Sequence, residues 1–440
     1  METIRQEDTH SLEHDFHLQH VAGKSCLMMI RDGNRELQGR IEVCNGKVSN
    51  LSGVHEKPLT DETRRIMEKY VKDNKFTMLP SAARKLGLSI YKKNDGIEEY
   101  LNADELAEKL KEPLDGVTLI INNFKKRRFE IKPCTTGAVL DFSRARIRHI
   151  KIGADCHLLM DLRDNAYVKS LKIGSNFSGR MNLSRTGLRS VHVGSNCHCD
   201  FNVNDSLKCF NMEIGDIFSG AINIRNSCFH KLKIGFYCYA AVNLKDNWGR
   251  KYIELGSSFR GSLNVDTVKI PEIKIGDDCR GTISVSSRDN THGAQTLDVA
   301  DDFSGNLDIG SSQTIRNVRF GIAAKGKINM RGCPSVKTVK FEEKFSGTAD
   351  FSDSAVEYIR TGAGSRGKMI LFNCDNLTLV KIPQKNNIKL STERKALKVK
   401  KEKESIYYSF NDKELPSEYF TPFYKEWYIG LKKFAKRWFQ

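Results

Sequence analysis

Apolar residues recur along the middle of this chain with a period of about 20 residues, a spacing characteristic of repeat proteins. In each period a short apolar–polar–apolar stretch ends at a glycine, and these glycines follow one another at nearly equal intervals: Gly153, Gly174, Gly194, Gly215, Gly235, Gly256 and Gly276. The period continues in degenerate form at Ala300, Gly321, Glu342 and Gly362 and ends at Pro383. A fixed period of this length is typical of a solenoid, in which each repeat forms one coil and the coils stack.

Each coil contains two stretches in which every second residue is apolar. One apolar pair lies three and one residues before the glycine, as in Leu171 and Ile173, and another lies seven and nine after it, as in Met181 and Leu183. This alternation predicts two short β-strands with one face inward. The glycine should end the first strand, where the chain turns with positive φ or with backbone against backbone. We therefore predict a mainly β fold, a parallel β-solenoid.

The inward residue three positions after the glycine alternates between small and large. The series is Cys156, Phe177, Cys197, Phe218, Cys238, Phe259, Cys279 and Phe303. Large side chains stacked on small ones interdigitate without voids. Thiols in alternate coils would be about 10 Å apart, too far for a disulfide or for shared metal ligation. We assign these cysteines to packing rather than to chemistry.

Two columns of polar residues lie between the apolar pairs. The column of the second strand predicts a ladder of side-chain hydrogen bonds, with a row of ligand-binding side chains as the alternative. It comprises Asp161, Asn182, Asn202, Asn223, Asn243, Asn264, Ser284, Asp308, Asn329 and Asp350. The column of the first strand, here the charged column, is basic on balance, and its predicted partner-binding residues are Lys151, Lys172, His192, Lys233, Lys274, Arg319 and Lys340. A merely solvated face is the alternative interpretation of the charged column.

The opening of many coils resembles a leucine-rich repeat. The match lies in Leu-x-x-Leu-x-Ile patterns such as the one formed by Val168, Leu171 and Ile173. The chain departs from that family because its usual asparagine is absent and because the second strand has no counterpart in the shortest leucine-rich repeats. The resemblance implies an architecture, leucine-rich-repeat-like or β-helix with coils of about 20–21 residues, and no particular activity.

A polar, flexible N-terminus at 1–22 and a small α+β module at 23–115 should precede the solenoid. The Asn45-Gly46 pair predicts a hairpin, and Thr60 can cap a helix over residues 61–73. The module is either an independent domain or the N-terminal cap of the solenoid. Four early histidines have the spacing of one helix face, and they are His10, His14, His17 and His20. No nearby cysteine completes a metal site with them, so we predict no metal and no cofactor.

We predict that the solenoid spans residues 116–383. After it the chain becomes basic and then aromatic. We predict a basic linker at 384–413 and an amphipathic helix at 414–440. The apolar face of that helix comprises Trp427, Leu431, Phe434 and Trp438, flanked by Lys432, Lys433, Lys436 and Arg437. Such a helix suits an anionic membrane surface or a groove in a protein partner. A C-terminal cap of the solenoid would need the same apolar face.

Composition favours an acidic partner and a reducing compartment. The net charge of +17 over 440 residues favours an acidic protein, an anionic membrane or, less strongly, nucleic acid. The 12 cysteines include no Cys-x-x-Cys pair, which suits a cytoplasmic location. The start lacks an apolar signal and no 18-residue apolar run occurs, so we expect no transmembrane segment. We expect a cytosolic protein, or one secreted without a cleaved signal into a host cytosol.

The sequence contains no glycine-rich phosphate loop and no acid pair tied to a pocket. We therefore predict a non-enzymatic, macromolecule-binding solenoid. Its layout resembles that of bacterial secreted effectors, which implies a virulence function that engages a host protein or an anionic membrane. One alternative is a carbohydrate-active β-helix enzyme, although its candidate carboxylates Asp161, Asp308 and Asp350 lie many coils apart. The other is a nucleic-acid-binding protein that uses the charged column and the basic tail.

Overall fold

The computed structural model describes residues 3–4, 16–21, 25–32, 34–54, 57–206, 208, 210–248, 252–266, 272–286, 296–393, 398–401 and 405–410. The chain divides into two compact units, Met1–Asn223 and Ile224–Gln440. Both consist largely of coils of a parallel β-solenoid, about 12 turns in all, which confirms the predicted fold class. Each coil contributes the strand before its glycine to sheet 1 and the strand after it to sheet 2.

The first unit begins with a small α+β module. Its sheet has six strands in chain order: β1 (Thr3–Ile4), β2 (Phe16–Val21), β3 (Ser25–Arg31), β4 (Leu37–Cys44), β5 (Lys47–Gly53) and β6 (Thr77–Met78). Its helices are α1 (Asp61–Asp73), α2 (Pro80–Leu86) and α3 (Ala103–Lys109). The Thr60 side chain caps α1, as predicted. His17 and His20 lie in strand β2, so the helix that their spacing would need for a metal site does not form there.

The first unit continues into the solenoid. Its sheet 1 strands are parallel: β10 (Lys125–Ile131), β12 (Arg146–Ile152), β14 (Ser170–Ile173), β16 (Ser190–Val193) and β18 (Phe210–Ile214). Its sheet 2 strands are β7 (Ser89–Lys93), β8 (Glu98–Leu101), β9 (Val117–Ile120), β11 (Ala138–Asp141), β13 (His157–Asp161), β15 (Ser178–Asn182), β17 (His198–Asn204) and β19 (Ser219–Arg225). The β7–β8 hairpin runs antiparallel to β9 and so ends sheet 2.

The second unit repeats the arrangement. Sheet 1 contains β20 (Phe229–Ile234), β22 (Tyr252–Leu255), β24 (Glu272–Ile275), β26 (Thr296–Val299), β28 (Asn317–Phe320), β30 (Thr338–Phe341), β32 (Tyr358–Arg360) and β34 (Leu379–Pro383). Sheet 2 contains β21 (Tyr239–Lys245), β23 (Ser262–Asp266), β25 (Thr282–Ser286), β27 (Asn306–Asp308), β29 (Lys327–Asn329), β31 (Thr348–Asp350), β33 (Arg366–Ile370) and β35 (Asn387–Ser391).

The predicted basic linker at 384–413 contains strands. Strand β35 pairs with β33 as part of a further coil, and the hairpin of β36 (Lys398–Lys401) and β37 (Ser405–Ser409) runs antiparallel to β34. Phe410, directly after the hairpin, is buried. Backbone pairing with the exposed edge of a parallel sheet accounts for this folded end. The predicted amphipathic helix at 414–440, with all its candidate binding residues, lies outside the described residues.

The core of each unit lies between its two sheets. Phe177 and Cys197 in the first unit and Phe259 and Cys279 in the second are all about 1% exposed or less. The alternation of small and large inward residues thus places every member in the core, as predicted. Among the described residues ten cysteines are free thiols, and Cys228 is disulfide-bonded.

The repeat glycines are required by close packing of backbone on backbone. A Cβ at Gly174 would lie 2.5 Å from the backbone nitrogen of Ala154 in the preceding coil, and a Cβ at Gly256 would lie 2.5 Å from the carbonyl carbon of Gly235. The left-handed conformation occurs two residues later, for example at Asn176 with φ of 56°. Of the two predicted reasons for the glycine, contact between backbones is therefore the correct one.

Candidate functional site

The polar column of the second strand holds the turns that follow it. In five coils a side-chain oxygen accepts a hydrogen bond of 2.9–3.2 Å from the backbone N–H two residues later: Asp161, Asn182, Asp308, Asn329 and Asp350. These bonds close short local turns. The three aspartates proposed as alternative catalytic carboxylates are thus engaged in structural contacts.

A ladder along the coil axis forms mainly at a different position from the one predicted. At the corner after sheet 1, Asn176 Nδ2 donates to Asp155 Oδ1 and Asn196 Nδ2 donates to Asn176 Oδ1, each at 2.8 Å. Within the predicted column, Asn329 Nδ2 donates to Asp308 Oδ1 at 2.9 Å. These side chains hold neighbouring coils together, so their amides are used by the fold.

The charged column forms as predicted, with its residues opposite one another in neighbouring strands. Lys151, Lys172 and His192 are in register in the first unit. In the second unit, Lys274 is followed in register by Asp298, Arg319 and Lys340. Four of the seven predicted binding residues lie close to carboxylates: Lys151–Glu130 at 2.7 Å, His192–Glu213 at 3.2 Å, Lys233–Glu254 at 3.1 Å and Lys274–Glu272 at 3.1 Å.

The remaining members of the charged column differ in their surroundings. Arg319 and Lys340 are half-buried. Burial raises the pKa of the Asp298 carboxyl, and the positive charge of Arg319 opposes that rise. Lys172 is exposed and forms no ion pair with the described residues. The charged column is therefore largely neutralised by its own acids, and its predicted partner-binding role remains a prediction.

A second line of cations lies beside the charged column in the first unit. Three residues ahead of the charged column, at or just before the start of the sheet 1 strands, the chain has Arg127, Arg148, Lys169 and Arg189, which we call the basic ridge. The register of β10 and β12 places Arg127 opposite Arg148. The Lys169 N–H donates to the Arg148 carbonyl at 2.7 Å, and the Arg189 N–H donates to the Lys169 carbonyl at 2.8 Å. The ridge thus stacks one cation per coil, at about 4.8 Å per coil.

The basic ridge has no acidic partners in the part of the chain that the structure describes. Arg127, Arg148 and Arg189 are exposed and Lys169 is half-buried. The Lys169 ammonium donates to the backbone carbonyl of Ala166 at 2.8 Å. Burial lowers the pKa of Lys169, and the positive charges of Arg189, Lys208 and Arg148 lower it further. Neighbouring cations that disfavour a lysine's charged form indicate a local excess of positive potential.

Further cations and one aromatic ring surround the basic ridge. Strand β10 opens with exposed residues Lys125-Lys126-Arg127-Arg128. The Arg146 guanidinium lies 5.3 Å from the centroid of the Tyr167 ring, a distance typical of a cation–π contact. Tyr167 is 50% exposed. The surface therefore combines cations that have no acidic partner among the described residues with an accessible arginine–tyrosine stack.

The sequence prediction missed the basic ridge because the ridge lies ahead of the apolar pair that precedes each glycine. The predicted outward columns comprise only the residues between the two members of an apolar pair. The signal was nevertheless present, since Arg148, Lys169 and Arg189 each stand five residues before a repeat glycine.

Three histidines hydrogen-bond serines in the next coil. The Nδ1–Oγ distances are 2.8 Å for His149–Ser170 and 2.7 Å for both His157–Ser178 and His198–Ser219. Nucleophilic catalysis would need an acid to orient the ring. In none of the three pairs do the described residues place a carboxylate in hydrogen-bond contact with the histidine.

No group of three or more histidine, cysteine or acidic side chains within the described ranges could hold a metal ion. Among the helices in those ranges, none has the length and apolar character needed to span a membrane. The chain matches no known family model, no curated protein and no solved structure. Its function must therefore be inferred from its own surface.

Proposed function

We propose that this protein is a non-enzymatic binding protein whose solenoid holds an acidic macromolecular partner along the basic ridge. The observation that supports the proposal is the contrast between two neighbouring columns. The charged column carries its own acids, as in the 2.7 Å Lys151–Glu130 contact, whereas the four cations of the ridge have no acid among the described residues. A binding surface must keep its charge available for a partner.

The basic ridge is costly to the isolated protein. Two like charges at about 4 Å repel by about 1 kcal/mol in bulk water and by more beside a protein surface. Lys169 experiences this repulsion from three neighbouring cations. An anionic partner would relieve this repulsion, and the relief would contribute to the stability of the complex.

The other predicted contacts fit around this surface. Lys172 of the charged column follows Lys169 by three residues and is exposed, so it would widen the basic surface along strand β14. Attachment to a membrane or to a protein groove through the C-terminal segment is a separate prediction. So is the setting of a bacterial effector in a host cytosol.

The test compares two variants of the full chain that lose the same charge. The ridge variant carries Arg127→Gln, Arg148→Gln, Lys169→Gln and Arg189→Gln. The control variant carries Arg316→Gln, Lys325→Gln, Lys327→Gln and Lys337→Gln in the second unit. The probe is fluorescently labelled polyglutamate in low salt. We expect the ridge variant to lose at least about 30-fold in affinity and the control less than about threefold.

Circular dichroism of both variants verifies that each remains folded. Equal losses in the two variants would show that binding follows net charge alone, and would overturn the assignment of the binding surface to the ridge.

A further inference from the structure

We infer that the acidic partner is a single-stranded nucleic acid, whose phosphates follow the basic ridge and one of whose bases stacks on the Arg146–Tyr167 pair. This inference rests on the proposed function, because it assigns a ligand class to the same surface. Three observations support it: the linear order of the cations, the prevalence of arginine among them, and the fixed position of the tyrosine.

The cations form a row rather than a broad patch. Arg127, Arg148, Lys169 and Arg189 occupy consecutive coils, joined by backbone hydrogen bonds of 2.7 and 2.8 Å at the last two steps. A row with one cation about every 4.8 Å suits a flexible polymer that carries one charge per unit. Three of the four residues are arginines, whose planar guanidinium can donate two parallel hydrogen bonds to one phosphate.

The Arg146–Tyr167 stack is held in place by a buried asparagine. Asn165 is 1% exposed, and its Nδ2 donates to the carbonyls of Phe142 and Ala145 at 2.7 and 2.8 Å. Its Oδ1 accepts from the Tyr167 N–H at 3.1 Å. Asn165 thus connects the segment that leads into Arg146 with the segment that carries Tyr167. The stack is therefore preorganised, which lowers the entropic cost of binding.

An arginine–tyrosine stack selects among anionic partners. Unpaired bases stack on tyrosine rings and on guanidinium planes, whatever the base sequence. An acidic peptide has carboxylates for the ridge but no base for the stack. A membrane surface would favour apolar anchors beside the cations, yet Val139 and Leu159, exposed apolar residues of the first unit, lie in sheet 2 strands rather than on the ridge.

Two measurements on the full chain test the ligand class. The probe is a labelled 20-nucleotide oligo-dT, and its affinity is determined over a series of salt concentrations. Each phosphate contact contributes about −0.7 to the slope of log K against log salt for a single strand. We expect the slope of the four-residue ridge variant to be shallower than the wild-type slope by about 3. The matched variant of the second unit should keep the wild-type slope.

The stack is tested separately. Tyr167→Ala should lower oligo-dT affinity about 5- to 100-fold at an unchanged salt slope, because it removes a stacked base and no phosphate contact. Tyr167→Phe should retain the affinity. Tyr237→Ala is the matched control, since Tyr237 is a similarly exposed tyrosine of the second unit, and should have little effect.

The outcomes separate this inference from the proposed function. Ridge-dependent binding of polyglutamate or of vesicles containing phosphatidylserine, without ridge-dependent binding of oligo-dT, would overturn the inference and leave the proposed function intact. An unaltered affinity in Tyr167→Ala, or equal affinity for a duplex of the same length, would also overturn the inference. If the ridge variant binds polyglutamate, the vesicles and oligo-dT as tightly as the four-residue control variant of the second unit does, both proposals fail.

Discussion

The position where the chain enters sheet 1 is built in the same way in the two units but carries different charge. In the four coils of the second unit that contribute β28, β30, β32 and β34, the residues equivalent to the ridge are Arg316, Lys337, Glu357 and Thr378, linked by backbone hydrogen bonds of 2.8–2.9 Å like those of the basic ridge. Lys337 Nζ lies 3.1 Å from Glu357 Oε1, whereas the ridge of the first unit has no acid among its described neighbours. Backbone bonds therefore define this position, and its side chains are free to differ.

The inward positions show no such difference. Phe177 and Cys197 of the first unit and Phe259 and Cys279 of the second are buried in the same manner. The comparison indicates that packing constrains these inward positions in both units, whereas the charge at the start of the sheet 1 strands is free to differ between the units.

The corner glycines should be equally indispensable in both units. Gly174→Ala and Gly256→Ala should each lower the free energy of unfolding by more than about 3 kcal/mol. The reason is the same in both, since the added Cβ would lie 2.5 Å from backbone atoms of the preceding coil. Urea denaturation measures the loss, with Lys172→Ala as the exposed control expected to change stability by about 0.5 kcal/mol or less. A large cost in one unit and a negligible cost in the other would contradict a shared interior.

Alkaline pH should destabilise both units through their buried thiols. Burial raises the pKa of Cys134 to about 12 in the first unit and of Cys333 to about 11 in the second, from an ordinary 9.0. Above pH 9 the unfolded thiols lose protons that the folded ones retain, so the free energy of unfolding falls as pH rises toward 11–12; below pH 9 this contribution is constant.

Urea midpoints measured between pH 7 and 11 monitor this effect. Cys134→Ala and Cys333→Ala should each flatten the alkaline decline, although each variant is less stable at pH 7. Identical slopes in the wild type and in both variants would show that the thiols do not cause the decline.

Reversing one charge should make the second unit behave more like the first. Glu357→Arg removes the acid that pairs with Lys337 and should strengthen oligo-dT or polyglutamate binding about three- to tenfold. Stability should change by less than about 1 kcal/mol, because the ion pair is partly exposed. Glu357→Gln should give a smaller gain in the same direction. No gain from either variant would mean that the local charge at this position does not determine polyanion binding.

Removing one ridge cation should slightly stabilise the free protein. Lys169→Gln should raise the free energy of unfolding by about 0.5 kcal/mol in low salt, since Arg148, Arg189 and Lys208 no longer face a fourth positive charge. The gain should vanish in 1 M salt, where the screening length is about 3 Å. Lys337→Gln, which removes a paired cation, should show no gain. A destabilised Lys169→Gln in low salt would indicate that its bond to Ala166 matters more than the repulsion.

The sequence alone determined the repeating part of the fold. The regular glycine period, the two alternating apolar pairs of each coil and the Cys–Phe series were sufficient to predict parallel strands, their inward faces and a core role for Cys156 and Cys197, both of which are buried. These features are local and are repeated many times, so errors at single positions do not obscure them. The in-register order of Lys151, Lys172 and His192 followed from the same period.

Which charges are neutralised, and how the solenoid ends, depend on contacts that the sequence pattern does not specify. Glu130 and Lys151 belong to successive coils, and their 2.7 Å contact depends on side-chain positions that a period does not specify. The β7–β8 and β36–β37 hairpins add antiparallel strands to sheets 2 and 1, and no repeat signal marks them. The ridge residues become neighbours only through pairing between successive coils, as in the backbone hydrogen bond from the Lys169 N–H to the Arg148 carbonyl. Ion pairs, end strands and the ridge each depend on contacts between segments distant in sequence, and such contacts form only when the coils stack.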